Sequence, residues 1–218
     1  MKPNRVLVIV AHPDDAEISM SMKIEDLIKN GAEVKIHCVT RGGIKAKEYE
    51  EIRTKEALDA AALMGVKDYS FSEFPDSELE KYTTEVKKEL ERLIEEFKPD
   101  TIYTHFPQDN HIDHEVVSKC AQIASRSVEN VFYFRSPYSV NFIPKLFYFG
   151  DQSQIEKKME VLSIFKYAKL IDPQMIKAFC QIVPSEYLHP YLLQKLMKMS
   201  SGPVFAEMFV PERQIETI

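Results

Sequence analysis

The feature that most constrains this chain is a rhythm. Apolar runs of strand length at residues 6–10, 33–39, 69–72, 101–105 and 130–135 alternate with stretches that read as helices over 17–30, 47–64, 83–97 and 113–126. Such alternation implies a parallel sheet with helices on both faces. The first run, Arg5-Val6-Leu7-Val8-Ile9-Val10, shows no period of two. That is the mark of a strand buried on both faces, where no side chain needs to meet water. Gly31 and Gly65 stand where helix C-caps are expected, and Pro99 stops the third helix.

After about residue 136 the rhythm changes. Pro137, Pro144, Pro173, Pro184, Pro190, Pro203 and Pro211 punctuate the remainder. Phe147-Tyr148-Phe149 reads as a further strand, and 153–167 and 173–199 as helices, the second broken near Pro184 and Pro190. The expected architecture is one α/β domain over 1–218 with a mostly parallel sheet. Residues 1–135 form its core, and 136–218 form an extension that walls the site.

With 44% hydrophobic and 28% charged residues, the chain has the composition of an ordinary soluble globular protein. A net charge of −6 argues against a nucleic-acid partner, which asks for a basic bias. Cys38, Cys120 and Cys180 are scattered and odd in number, so they read as small buried hydrophobes rather than a disulfide framework. No apolar run reaches membrane-spanning length, and the N-terminal run is too short for a signal peptide. A cytoplasmic setting is the expectation. The apolar C-terminal third makes a homo-oligomer an expectation as well.

The chemistry is carried by two constellations that both follow strands. The first is His12-Pro13-Asp14-Asp15-Ala16-Glu17, directly after the first strand. Open α/β sheets bind ligands beyond the carboxyl ends of their strands, so this loop is delivered to the right edge. Neighbouring aspartates in an extended segment point opposite ways, so one can hold a metal while the other faces a metal-bound water. The competing reading is a polar turn with Asp14 or Asp15 capping the next helix. The second constellation is Asp109-Asn110-His111-Ile112-Asp113-His114, after the fourth strand. Asp109 or Asn110 can cap the following helix, and His111 and His114 share one face of its first turn.

Together His12, Asp15 and His114 offer two imidazoles and a carboxylate, the ligand number of a catalytic rather than a structural zinc. Asp14 is then left to take a proton from bound water. His111 is left to stabilise an oxyanion or protonate a leaving amine. Asp113 can orient His111 through a hydrogen bond. His105 reads as the plain end of the fourth strand. The aromatic residues Tyr133, Phe134, Tyr138, Phe142, Phe147, Tyr148 and Phe149 read as core or subunit interface.

The pair of motifs resembles the signature of the PIG-L or LmbE-like family of zinc-dependent N-acetylglucosaminyl deacetylases. Supporting segments are Val39-Thr40-Arg41-Gly42, the helix with Arg53, Glu56, Ala57, Ala60, Ala61 and Gly65, the stretch Phe74-x-Asp76-x-x-Leu79, and Ala206-Glu207-x-Phe209. The resemblance implies a Rossmann-like, LmbE-like deacetylase fold and hydrolysis of an N-acetyl group from an amino-sugar substrate. It implies His12, Asp15 and His114 as ligands of Zn2+ (Fe2+ being another fit), Asp14 as general base, and His111 facing the reacting carbonyl. Arg53 matches a substrate-binding arginine; its other reading is a solvated helix residue. Where the family usually has glycines, this chain has Ile18-Ser19-Met20-Ser21-Met22, whose side chains are expected to narrow or reshape the pocket. Two alternatives stay open: metal-dependent hydrolysis of another amide (a non-acetyl acyl group or a nucleoside-linked substrate), and a non-catalytic carbohydrate-binding relative.

Overall fold

The computed structural model describes residues 3–43, 47–166, 172, 174–178, 180, 194–195, 198 and 204–214. Among the described residues, seven strands form one sheet: β1 (Arg5–Val10), β2 (Glu33–Thr40), β3 (Asp68–Phe74), β4 (Thr101–His105), β5 (Asn130–Phe134), β6 (Leu146–Gly150) and β7 (Phe205–Arg213). Their spatial order is β3-β2-β1-β4-β5-β7-β6. The first five are mutually parallel; β7 runs antiparallel to both β5 and β6. The chain leaves β1 towards β2 and β3 on one side, then returns to β4 and β5 on the other. The crevice between the carboxyl ends of β1 and β4 is therefore a topological switch point.

Among the described residues, the helices on the sheet are α1 (Asp15–Lys29), α2 (Lys47–Met64), α3 (Thr83–Phe97), α4 (Ile112–Ala124) and α5 (Gln152–Leu162). Strand β1 shows why its sequence is uniformly apolar. Val6, Val8 and Val10 pack into a core with Ala16, Met20 and Ile24 of α1 and Ala57 and Ala60 of α2. Leu7 and Ile9 pack on the opposite face with Val86 and Leu90 of α3 and Val117 and Ala121 of α4. Burying each such side chain contributes roughly 1.5–3 kcal/mol, so both faces of this strand hold the sheet. All three cysteines are buried and free, as expected. Among the described residues no helix is long and apolar enough to cross a membrane.

Two features escaped the sequence reading. The first is β7, which the seven prolines of the C-terminal third disguise. Pro211 is tolerated because β6 pairs with β7 only as far as Phe209, and because the β5–β7 register shifts between Val131 and Phe132. Proline is admitted at edges and bulges, where no ladder hydrogen bond is lost. The second is a break within α1: Met20 has φ −152° and ψ 25°, and the helix restarts beyond it. The freed backbone N–H groups of Met22 and Lys23 donate to the carboxylate of Glu207 on β7, at 3.0 and 2.8 Å. Lys158 of α5 completes this buried group, its Nζ 2.6 Å from Glu207 Oε1. The helix expected over 153–167 is α5, started by a capping box between Asp151 and Gln154. Most of the helix expected over 173–199 lies outside the described residues; 174–178 are helical.

Candidate active site

The groups of interest gather at the carboxyl edge of the sheet, from the loops after β1, β3 and β4, the starts of α1 and α4, the end of β4 and helix α2. The turn after β1 is tight and strained. Asp14 occupies the N-cap position of α1 with φ 107°, a left-handed conformation that a non-glycine residue adopts at a cost of about 1–3 kcal/mol. Its side chain makes no capping hydrogen bond, so the polar-turn reading fails for Asp14. The carboxylate instead accepts from Arg53, with Nη2 3.0 Å from Oδ2. Asp15 begins the helix, and its Oδ2 accepts the backbone N–H of His12 at 2.8 Å.

The second half comes from β4 and the start of α4. His105 does more than end its strand. Its ring is fully buried, stacks on His114 with centroids 4.0 Å apart, and accepts the Ala11 N–H at Nε2. His111, not Asp109 or Asn110, holds the N-cap position of α4. Asp109 takes another role: its Oδ1 accepts the His111 N–H at 3.0 Å and meets His114 Nδ1 at 3.1 Å. Its Oδ2 is held by the hydroxyls of Ser136 and Ser139. The rings of His111 and His114 stack at 4.6 Å, as their spacing of three predicts.

Asp113 departs from expectation. It does not orient His111. Its carboxylate, wholly buried, accepts the N–H groups of Ser77 and Leu79 at 2.7 and 3.2 Å and lies 3.1 Å from His12 Nε2. A side chain in the first turn of a helix leans back towards its N-terminus, which here is the 77–79 loop and the ring of His12. Asp76 meets the same nitrogen at 3.3 Å.

These contacts fix which imidazole atoms are free. A nitrogen facing two carboxylates carries its proton, so His12 Nε2–H points to Asp113 and Asp76 and leaves Nδ1 with the lone pair. His114 Nδ1 lies 3.1 Å from Asp109, closer than Nε2 lies to Asp15 at 3.3 Å, so we assign the proton to Nδ1 and the lone pair to Nε2. Both free nitrogens look at one carboxylate: Asp15 Oδ2 is 3.5 Å from His12 Nδ1, and Oδ1 is 3.3 Å from His114 Nε2. Metal-binding histidines characteristically give their other N–H to a carboxylate, and both do so here. The donor set therefore fits a divalent cation.

Among the described residues, three overlapping clusters have donor atoms within 4.8 Å of one another: His12, His111 and His114; Asp15, His105 and His114; and His12, Asp76 and Asp113. The expected set of His12, Asp15 and His114 straddles the first two. The third is unsuited because it uses the protonated face of His12. In the second, the His105 Nε2 lone pair is taken by Ala11.

The charge balance shows that this centre favours positive charge. Burial pushes the Asp14 carboxyl up to about 7, against the pull of Arg53 and helped by Asp15. Burial opposes ionisation of Asp15, but His114 and His105 hold it well below the usual carboxylate range. Burial also opposes charge on His114, yet Asp15 and Asp109 lift it to about 9. His105 is driven down to about 4 by burial and by His114.

Arg53 is no solvated helix residue. Its guanidinium donates to Pro13 O at 2.6 Å, to Asp14 and to Gly42 O at 3.3 Å, while Nε is buried without a partner among the described residues. Gly42 is needed for this: it has φ +72°, and a Cβ there would lie 2.5 Å from Arg53 Nη1. Above these groups lies a cavity of about 160 Å³ whose lining includes His12, Asp14, Asp15, Arg53, His111 and His114. Tyr138 lines it too, so this aromatic is neither core nor interface alone. The sequence reading gave no site role to His105 or Asp76, and gave Asp109 only that of a helix cap. Asp76 had a usable signal, since it follows the carboxyl end of β3 as His12 follows β1.

An open, mostly parallel α/β sheet with histidines and carboxylates gathered over its switch point defines the class: a Rossmann-like fold bearing a metal-type centre. The profile of the family PIG-L: GlcNAc-PI de-N-acetylase matches residues 7–125, and the chain belongs to this family. A probable N-acetyl-alpha-D-glucosaminyl L-malate deacetylase 2 from Bacillus cereus is 31% identical over 126 residues, 52% of this chain and 57% of that protein. The chain thus spans little more than half the length of that relative. Among solved structures, N,N'-diacetylchitobiose deacetylase from Pyrococcus horikoshii superposes with a TM-score of 0.75 at 24% identity, covering 96% of this chain and 84% of that one. The 4-carboxy-2-hydroxymuconate hydratase GalB from Pseudomonas putida KT2440 gives the same TM-score at 16% identity, covering 99% and 98%. The fold is therefore shared by a deacetylase and a hydratase, and the chemistry must be argued from the site.

Proposed function

We propose that this protein is a metal-dependent hydrolase that removes the N-acetyl group of an amino-sugar derivative, with zinc as its ion. The observation that carries this reading is the convergence of His12 Nδ1, His114 Nε2 and the Asp15 carboxylate, each imidazole backed by a second carboxylate. These three would hold the ion. Zinc in such a site supplies a water acidic enough to act as hydroxide near neutral pH. Asp14 takes a proton at Oδ1, the oxygen left over from its bond with Arg53. His111 faces the substrate across the cavity and donates to the carbonyl oxygen or to the leaving nitrogen. Asp113 and Asp109 position His12 and His114. Arg53 orients Asp14 and borders the substrate. The amide C–N bond breaks, water adds its oxygen to the acyl carbon, and acetate and a free amine leave.

The C-terminal extension belongs to this reading as a wall of the site, supported by Pro137, Tyr138, Met175 and Ile176 in the cavity lining. Self-association is also part of it, supported by the exposed apolar residues Ile143 and Leu146, and sedimentation velocity tests it.

The principal test is acetate release from a panel of N-acetylated sugars and conjugates by zinc-loaded protein. Asp14→Asn should keep one metal per chain and lose turnover by about 100-fold or more. Unchanged turnover would remove Asp14 as the base. Metal binding with no product from any acetylated or longer-acyl amide would favour the non-catalytic alternative.

A further inference from the structure

The cavity has two unlike halves. One holds the imidazoles, the carboxylates and Arg53. The other is Ile18, Pro137, Tyr138, Met175 and Ile176. Ile18 lies three residues after Asp15 in α1, so the two share a helix face and an apolar surface begins beside the proposed ion site. This wall is built into the protein. Ile176 is 2% exposed and packs with Met22, Ile155, Leu162, Cys180 and Phe205, and Ile18 packs against the same group. Tyr138 is braced on both sides of its backbone: its N–H donates to Ser136 Oγ and its carbonyl accepts the Asn110 N–H, each at 3.0 Å. Yet Tyr138 and Met175 leave 49% and 53% of their surface open.

The polar half is largely committed to itself. Arg53 is engaged by Asp14, Pro13 and Gly42, His12 by Asp15 and Asp76, and His114 by Asp15 and Asp109. Among the described lining residues, the buried polar atoms without a partner are Asp76 Oδ2, Arg53 Nε and His111 Nδ1, and the proposed reaction already uses His111. A substrate recognised mainly through sugar hydroxyls needs several such free groups, because each buried hydroxyl must find a partner. A substrate carrying an apolar substituent instead gains by covering half-open Tyr138 and Met175.

We infer that the substrate carries an apolar aglycone, alkyl or aryl, that lies on Ile18, Tyr138, Met175 and Ile176 while its acetamido group reaches the polar half. This rests on the hydrolase reading for the reaction, but not for the binding. The amide is cleaved at the buried floor, and the aglycone is the part of the molecule that extends towards the open rim.

The test has two arms. In the first, titration calorimetry compares glucose with hexyl β-D-glucoside, neither of which can be deacetylated. Binding of the hexyl compound should be at least roughly ten-fold tighter, and Met175→Ser and Ile18→Ser should each erase most of the gain. Met175→Ser alters a half-exposed side chain, so it reports even if Ile18→Ser disturbs packing. In the second, kcat/KM for hexyl N-acetyl-β-D-glucosaminide should exceed that for N-acetylglucosamine by a similar factor, with metal content unchanged in the variants. Equal binding of glucose and its hexyl glycoside overturns the inference. So does a rate gain confined to N-octanoyl-glucosamine, which would put the acyl chain on this wall. Hexyl-dependent binding without turnover on any amide supports the apolar subsite and sinks only the hydrolase reading.

Discussion

Removing Glu207 should cost more stability than removing any residue of the proposed ion site. Its two oxygens serve three donors: Lys158 Nζ at 2.6 Å, Met22 N–H at 3.0 Å and Lys23 N–H at 2.8 Å. Lys158 and Glu207 are 1% and 2% exposed. Glu207→Ala leaves an ammonium buried without its counter-ion, which costs about 3–5 kcal/mol. It also orphans two helix-start N–H groups, each worth about 1–3 kcal/mol if water cannot reach it. These terms overlap, so about 4–6 kcal/mol is expected, a large part of the roughly 5–15 kcal/mol of a whole domain. Lys158→Met should cost less, about 1–3 kcal/mol, because Glu207 keeps two backbone donors to satisfy its charge. The double change Lys158→Met with Glu207→Gln should be milder than Glu207→Ala alone, since no unpaired charge stays inside. Equilibrium urea unfolding of the three variants measures these differences. A loss below about 1 kcal/mol for Glu207→Ala would refute the reasoning, because it would mean that water enters and solvates Lys158 freely.

Further expectations follow from other residues. Asp109→Ala should weaken zinc binding by about 10–100-fold in a chelator competition, because the His114 ring loses the carboxylate that fixes its tautomer; an unchanged Kd would make Asp109 merely a brace for the 136–139 turn. His37 is buried between Ser70 and Ser72 and depressed to about 4 by burial and by Lys35. Below its unfolded pKa of about 6.5 the unfolded chain binds a proton that the folded chain refuses. His37 therefore favours the folded state fully above that value and loses up to about 3 kcal/mol as pH falls to 4. His37→Asn should flatten that part of the stability–pH curve, and parallel curves for the two proteins would exclude the effect. Gly42→Ala should cut deacetylation strongly by displacing Arg53. Gly31→Ala, equally left-handed but with open space around it, should cost only about 1–2 kcal/mol of stability and leave rates alone; equal rate losses would break the link from Gly42 through Arg53 to Asp14.

The parallel part of the sheet was legible because burial on two faces forces a residue pattern. Val6 to Val10 can hardly be anything but a covered strand, and the helices between strands announce the crossovers. β7 was hidden because its pairing depends on where β6 ends, which no local pattern records, and because Pro211 reads as a breaker. In the site, His12 to Asp15 and His111 to His114 stood out because several chemically able residues crowd into one turn. His105 and Asp76 lacked that crowding, since a single acid or histidine near a strand end has no spacing to interpret, and Asp109, inside the second cluster, was read as a helix cap. Asp113 was noticed but paired with the wrong ring. Adjacency suggested His111, whereas the lean of its side chain and the N–H groups of Ser77 and Leu79 deliver it to His12.

The position of β7 between β5 and β6 bears on how the protein is made. Residues 130–134 and 146–150 emerge from the ribosome well before 205–213, yet each pairs with that late segment. Until it arrives, β5 lacks its outer neighbour and β6 has no strand to join. The restart of α1 and the ammonium of Lys158 also wait for Glu207. Non-local pairing of this kind slows folding, and unpaired edges in the interval are open to other chains. A nascent chain that lacks 205–213 therefore leaves the edge of β5 unpaired, and rapid completion of synthesis would matter most in that interval.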